Sequence, residues 1–220
     1  MKREIIQTLD GSTTIQITDW DECYHSRFGA VQEAKHVFIK NGLSLFENKE
    51  ISILEIGFGT GLNAFVTYLE SQKWKLAINY VGVEGYPVSS EEVVSMNYVS
   101  ELNAESERKI FEKMHNCNWE EKIVLRDDFV LTKRNQFFAD IEDVEIFDLI
   151  YFDAFGYNVQ PELWSTAIFK KMYNSLKNNG VLVTYAARGV VKRSMIEVGF
   201  KVEKLAGPPG KREMFRAVKL

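Results

Sequence analysis

The residues able to do chemistry stand at the ends of short apolar runs. Residues 51–56 close on Gly57-Phe58-Gly59-Thr60-Gly61-Leu62-Asn63, with Glu55 two places before the first glycine. Glycines adopt positive φ freely and let backbone approach a ligand closely. The G-x-G-x-G spacing differs from the dinucleotide fingerprint G-x-G-x-x-G, whose third glycine falls one place later. Glu84 ends the next run, residues 78–83, and lies 23 positions after Gly61. A carboxylate there can accept hydrogen bonds from both hydroxyls of an unphosphorylated ribose. Residues 123–125 end in Arg126-Asp127-Asp128, and residues 147–152 end in Asp153.

These runs must be positioned by an alternation of strands and helices. Residues 62–70, 161–176 and 189–198 follow helical patterns, the second opened by Pro161 and stopped by Asn179-Gly180. Ser89-Ser90-Glu91-Glu92 starts another helix, with acidic residues suited to its dipole. Such alternation predicts an α/β protein with an open, mostly parallel sheet covered on both faces. Residues 201–205 and 214–218 form a closing antiparallel pair, since their connection is too short for a crossover. Upstream, Asp10-Gly11 between two alternating runs predicts a hairpin, and Ala30, Ala34, Val37 and Phe38 make a helical stripe. Ligands of such sheets bind beyond the carboxyl ends of the strands.

Composition narrows the classes. With 220 residues, 45% of them hydrophobic, the chain suits one domain with a sizeable core. The formal charge of −4 argues against a uniformly basic, nucleic-acid-coating surface. It is uneven: residues 186–220 carry nine Lys/Arg against three Glu, or +6, leaving −10 on the remainder. Cys23 and Cys117 form no disulfide framework, and His25, His36 and His115 show no metal-ligand spacing. No stretch has the length of a membrane span, and the first residues lack the apolar core of a signal peptide. The expectation is a cytoplasmic protein without metal, membrane or DNA partner.

The pattern E-x-G-x-G-x-G at Glu55–Gly61 resembles the first motif of S-adenosylmethionine-dependent methyltransferases. More specific is Asp153-Ala154-Phe155 with Pro161 and Trp164, then Gly189-Val190-Val191-Lys192-Arg193, Gly199-Phe200 and Gly210-Lys211-Arg212-Glu213-Met214. With Tyr24-His25-Ser26, Gly29-Ala30, Glu33 and His36-Val37-Phe38, these resemble the methyltransferase domain of the bifunctional tRNA 5-methylaminomethyl-2-thiouridine biosynthesis enzymes (MnmC). The resemblance runs from about Tyr24 to Val218.

It implies a class I, Rossmann-like methyltransferase fold: a mostly parallel seven-stranded sheet with an antiparallel C-terminal strand, plus an N-terminal hairpin and helix. Residues 1–48 would form an extension packed on a methyltransferase domain of residues 49–220. The implied activity is methylation of the amine of 5-aminomethyl-(2-thio)uridine at the tRNA wobble position, with the tRNA anticodon loop as partner. A functional link to the enzymes that install the aminomethyl group follows. S-adenosylmethionine would be held by Glu55, Gly57, Phe58, Gly59, Gly61, Asn63, Glu84, Asp127 or Asp128, and Asp153. Substrate would meet Tyr24, Ser26, Glu33, Phe155, Lys192, Arg193, Lys211 and Arg212. The bifunctional relatives continue into a flavin-dependent oxidase; this chain ends at Leu220, so FAD is not expected.

Methyl transfer to an amine is an in-line displacement in which positioning supplies much of the effect. A primary alkylamine, with a pKa near ~10, arrives protonated. Asp153 is therefore the candidate catalytic carboxylate, either orienting the amine or taking its proton. Asp153-Ala154-Phe155-Gly156 lacks the Asn/Asp-Pro-Pro-Tyr/Phe pattern of enzymes methylating aromatic exocyclic amines. No cysteine stands at a strand end to attack a pyrimidine ring. Two other readings stay open: a methyl- or aminopropyltransferase of a small amine, and a non-catalytic RNA-binding protein retaining the fold.

Overall fold

In the computed structural model, which describes residues 2–220, the apolar runs become the centre of an eight-stranded sheet. Three strands precede it: β1 (Arg3–Gln7), β2 (Thr13–Ile17) and β3 (Glu22–Cys23) form a small antiparallel sheet around the Asp10-Gly11 turn. The large sheet comprises β4 (Glu50–Ile56), β5 (Ala77–Val83), β6 (Lys122–Arg126), β7 (Phe129–Arg134), β8 (Phe147–Phe152), β9 (Leu176–Thr184), β10 (Phe200–Ala206) and β11 (Glu213–Lys219). Their spatial order is β10-β11-β9-β8-β4-β5-β7-β6. β4, β5, β7, β8 and β9 run parallel; β11 is antiparallel to β9 and to β10, and β6 is antiparallel to β7.

The eighth strand corrects the expected seven. What reads as one strand ending at Asp127-Asp128 is a hairpin, in which β6 turns back at those two residues into β7. β7, not β6, pairs with β5, from Ile78↔Phe129 to Val83↔Arg134. A second difference lies before β9. The helix expected over residues 161–176 is a 3-10 turn, Pro161–Trp164, followed by α6 (Thr166–Ser175) capped by Ser165. Asn179 (φ 64°) and Gly180 do not end that helix; they lie within β9, where pairing with β8 shifts register.

Helices cover both faces. α1 (Ala30–Ala34), α2 (Leu62–Ser71), α3 (Ser90–Val94), α4 (Tyr98–Glu101) and α5 (Arg108–Asn116) precede β6, and α7 (Gly189–Glu197) precedes β10. One buried cluster gathers Phe65, Tyr80, Phe111 and Tyr151; the other gathers Ile150, Phe152, Trp164, Phe169 and Met195. Ile15, Ala30, Val37 and Phe38 belong to the first cluster, so the hairpin and the first helix bury apolar surface against the same sheet. The stripe over residues 30–40 is half α-helix and half π-helix, since α1 widens into a π turn at Lys35–Lys40. Among the described residues no helix is long and apolar enough to cross a membrane. None of their His, Cys, Asp and Glu side chains group in threes that could hold a metal ion.

Candidate active site

β4, β5 and β8 end side by side, and the loops that follow them meet. Gly57 and Phe58 donate their N–H groups to Val83 O, both at 3.0 Å, which pins the glycine loop to the end of β5. Gly57 (φ 90°) has no room for a side chain: a Cβ would lie 2.6 Å from Asp153 O. Gly59 donates its N–H to Glu84 Oε2 at 3.0 Å, and Tyr86 donates its N–H to Glu84 Oε1 at 2.8 Å. Asp153 N donates to Ile56 O at 2.9 Å, tying the end of β8 to the end of β4. The result is a cleft of ≈ 230 Å³ whose walls include Tyr24, Gly57, Gly59, Glu84, Asp153 and Phe155.

Asp153 is half-buried on that wall, and its Oδ2 accepts from Asn63 Nδ2 at 2.8 Å. Burial, and then the negative charge of Glu33, pushes its pKa up to about 7; Asn63 and Lys211 act in the opposite sense. A second chamber of ≈ 240 Å³ adjoins the first and shares Tyr24, His25, Ala154 and Phe155 with it. Glu33 is buried there, accepting the Ser26 N–H at 2.8 Å and pairing with the Lys211 ammonium. Lys211 Nζ stands 3.7 Å from the Tyr185 ring centroid, and Tyr185 donates its hydroxyl to Ala154 O at 2.8 Å. Tyr24 and Phe155 meet edge to face at 4.9 Å between the chambers.

The structure brings together Tyr24, Gly57, Gly59, Glu84, Asp153 and Phe155 in the cleft, with Ser26, Glu33 and Lys211 beside them. Four other expected residues stand behind the loop rather than on the cleft. Glu55 is fully buried and accepts the Tyr80 hydroxyl at 2.8 Å. Asn63 is buried on α2, Gly61 (φ 72°) packs against His115, and Phe58 turns away toward Gly82, His115 and Trp119. In these places they support the loop and the carboxylate of Asp153.

Asp127 and Asp128 are misplaced by the sequence reading. Asp128 O accepts from Ile78 N at 2.8 Å, at the start of β5, while Glu84 follows its end. The seven residues of β5 separate them from the cleft by roughly 20 Å at ~3.3 Å per residue. Asp128 instead pairs with Arg126. The residues beyond the end of β7 are Asn135, whose Nδ2 donates to Glu84 O at 3.0 Å, and Phe137, which faces Tyr86 at 5.8 Å across the cleft mouth.

Lys211, expected to meet substrate, turns its ammonium inward to Glu33. Lys204, Arg216 and Lys219 pair with Glu213, Glu203 and Glu145. Among the described residues, Lys192, Arg193 and Arg212 make no ion pair, and the two arginines are exposed. Sequence reasoning missed Arg3, which lines the cleft and donates to Tyr86 O at 3.0 Å. It also missed His25, whose Nε2 bonds Thr60 Oγ1 at 2.8 Å and whose pKa burial pushes down to about 4. His25 stands in the Tyr24-His25-Ser26 motif without a role of its own, and Arg3 carries no local signal; each acquires its place from the hairpin folding back over the loop.

The cleft fits a nucleoside cofactor with a cationic centre. Positive-φ glycines form a cradle that a Cβ would fill, Glu84 offers a ribose partner, and Asp153 offers a carboxylate. Comparison with known proteins agrees. The profile of a family described as S-adenosyl-L-methionine-dependent methyltransferase matches residues 105–220. The tRNA 5-methylaminomethyl-2-thiouridine biosynthesis bifunctional protein MnmC of Marinomonas sp. is 28% identical over 214 residues, covering 89% of this chain and 31% of its own length. Its namesake from Leptospira interrogans is 29% identical over 208 residues, covering 89% and 32%. The chain thus spans about a third of the length of these relatives. MnmC2 from Aquifex aeolicus superposes with a TM-score of 0.78 at 24% identity, over 98% of this chain and 69% of that one. Spermidine synthase from Thermotoga maritima reaches 0.55 at 13% identity, over 99% and 72%; both are likenesses of fold.

Proposed function

The chain belongs to the S-adenosyl-L-methionine-dependent methyltransferases, and from that membership we propose that it methylates the amine of 5-aminomethyl-(2-thio)uridine at the tRNA wobble position, leaving 5-methylaminomethyl-(2-thio)uridine. The observation that carries the reading is the pair of joined chambers. Asp153 faces the cleft, and beside it a primary alkylammonium, that of Lys211, already rests between a buried carboxylate and a tyrosine face. The names of the relatives supply the RNA and the modified nucleoside.

The cofactor supplies an electrophilic methyl group on a sulfonium. Gly57 and Gly59 would lie against it, Glu84 would hold its ribose hydroxyls, and Tyr86 and Phe137 would flank its base. Asp153 accepts a hydrogen bond from the substrate amine and turns the nitrogen lone pair toward the methyl. With a pKa raised to about 7, it also takes the amine proton more readily than an exposed aspartate does. Tyr24 and Phe155 offer aromatic edges and faces for an unstacked uridine. Lys192, Arg193 and Arg212 would meet anticodon-stem phosphates. With such a substrate the protein would act in the cytoplasm, downstream of enzymes that install the aminomethyl group.

Nucleoside mass spectrometry tests this. tRNA from a strain lacking the chain should hold unmethylated aminomethyluridine that gains one methyl on incubation with protein and cofactor. Failure of that nucleoside to shift overturns the reading.

A further inference from the structure

Among the described residues three buried side-chain atoms have no hydrogen-bond partner: His115 Nε2, behind Gly61, and the pair Glu55 Oε1 and Asn63 Oδ1. The last two occupy successive links of one side-chain series. Tyr80 donates its hydroxyl to Glu55 Oε2 at 2.8 Å, and Asn63 Nδ2 donates to Asp153 Oδ2 at 2.8 Å. With Glu55 ionised, both orphan atoms are acceptors, and neither can satisfy the other. Buried acceptors left this way bear their full desolvation penalty. A single proton removes both faults.

We propose that Glu55 carries a proton and shares it with Asp153 across the Asn63 amide, so that Glu55 is a positioning residue for the group that meets the substrate amine. With the proton on Glu55 Oε1, that oxygen donates to Asn63 Oδ1. The amide is then fixed with Nδ2 toward Asp153, which stays an ionised acceptor. With the proton on Asp153 the amide turns over, donating to Glu55 and accepting from Asp153. Only a proton and an amide orientation change; no bond to carbon forms or breaks.

The surroundings favour the first arrangement. Glu55 is faced by Tyr80 from β5 and Asn63 from α2, with the carboxylates of Asp153 and Glu84 beyond. Burial holds its pKa well above the usual carboxylate range. Asp153 is faced by Glu33 from α1, which raises its pKa, and by Asn63 and by Lys211 from the β10–β11 loop, which lower it. Asp153 keeps partial exposure and a cationic neighbour; Glu55 has neither.

The inference rests on Asp153 meeting the amine, but the proton can be read without turnover. Infrared spectra of the whole protein at about pH 9, above the pKa of about 7 held by Asp153, should show a buried, protonated carboxyl stretch. It should persist in Asp153→Asn and vanish in Glu55→Gln. No such band in the unmodified protein, or a band surviving Glu55→Gln, overturns the proposal whatever the enzyme methylates. In turnover, Glu55→Gln, which can still donate to Asn63 Oδ1, should keep kcat within about threefold, whereas Glu55→Leu should lose about tenfold. Equal losses in the two variants at equal thermal stability would also count against it.

Discussion

The Lys211 ammonium lies 3.7 Å from the centroid of the Tyr185 ring while pairing with buried Glu33, so a lysine from the basic C-terminal segment is part of the interior. The Lys211 side chain is 32% exposed and that of Glu33 only 6%. Removing the cation strands a buried carboxylate. Lys211→Met should therefore cost about 2 kcal/mol, below the ~3–5 kcal/mol of a fully buried pair. Denaturant unfolding measures it, and Glu33→Gln in the same chain should recover most of the loss. Lys211 also lowers the pKa of Asp153, so the acidic limb of the pH–rate profile should move upward in Lys211→Met.

Asp153 yields a prediction with two signs. Its folded pKa of about 7 lies above the unfolded value, so the stability tied to its proton is full below about pH 4. That contribution is lost as pH rises through about 7. Asp153→Asn, which cannot ionise, should be more stable than the unmodified protein at pH 8, with the difference shrinking as pH falls and vanishing only toward about pH 4. Thermal melts across that range check the sign. The same variant should bind cofactor by calorimetry and lose most of its turnover; near-normal turnover would remove Asp153 from the mechanism.

Gly57 is the point at which the loop touches the end of β8. An alanine there meets Asp153 O at 2.6 Å and must hold a φ of 90°. Gly57→Ala should cost about 1–3 kcal/mol and displace the Asp153 backbone. Cofactor affinity should fall with stability, measured by calorimetry beside a melt.

Much of this site was legible because glycine spacing and strand-end carboxylates are local signals. Gly57, Gly59, Glu84 and Asp153 follow strands that read as near-continuous apolar runs. The β6–β7 hairpin was not legible, for a physical reason. In β7 the inward positions are Phe129, Leu131 and Lys133, and the lysine breaks the apolar pattern. Its ammonium is accommodated by His115 O at 2.7 Å and by the Trp119 ring at 4.7 Å, neither of which a strand pattern announces. Missing β7 moved the expected cofactor carboxylate to Asp127-Asp128. Glu55 and Asn63 were found as motif residues, but their burial behind the loop depends on Tyr80 and Asp153, distant in sequence.

That misplacement can be checked directly. Asp127→Ala and Asp128→Ala should leave cofactor affinity unchanged, since the turn lies at the opposite end of β5 from Glu84. Asp128→Ala breaks a partly exposed pair with Arg126 and should cost ~1 kcal/mol or less. A large loss of cofactor binding in either variant would contradict the strand order.

The RNA reading turns on which cations remain available. Lys204, Lys211, Arg216 and Lys219 are paired with carboxylates, so the +6 of the C-terminal segment overstates its attraction for phosphate. Arg193 and Arg212 are exposed and make no ion pair among the described residues. If each meets one phosphate, Arg193→Ala and Arg212→Ala should each reduce the slope of log affinity against log salt by about 1. Cofactor affinity should not change in either. Lys211→Met should leave the slope intact while lowering stability, because its charge is already spent on Glu33. Filter binding of an anticodon stem-loop over a salt series separates these outcomes. Unchanged slopes for both arginines would move the RNA to another face, and a reduced slope for Lys211→Met would mean that its pair with Glu33 opens when RNA binds.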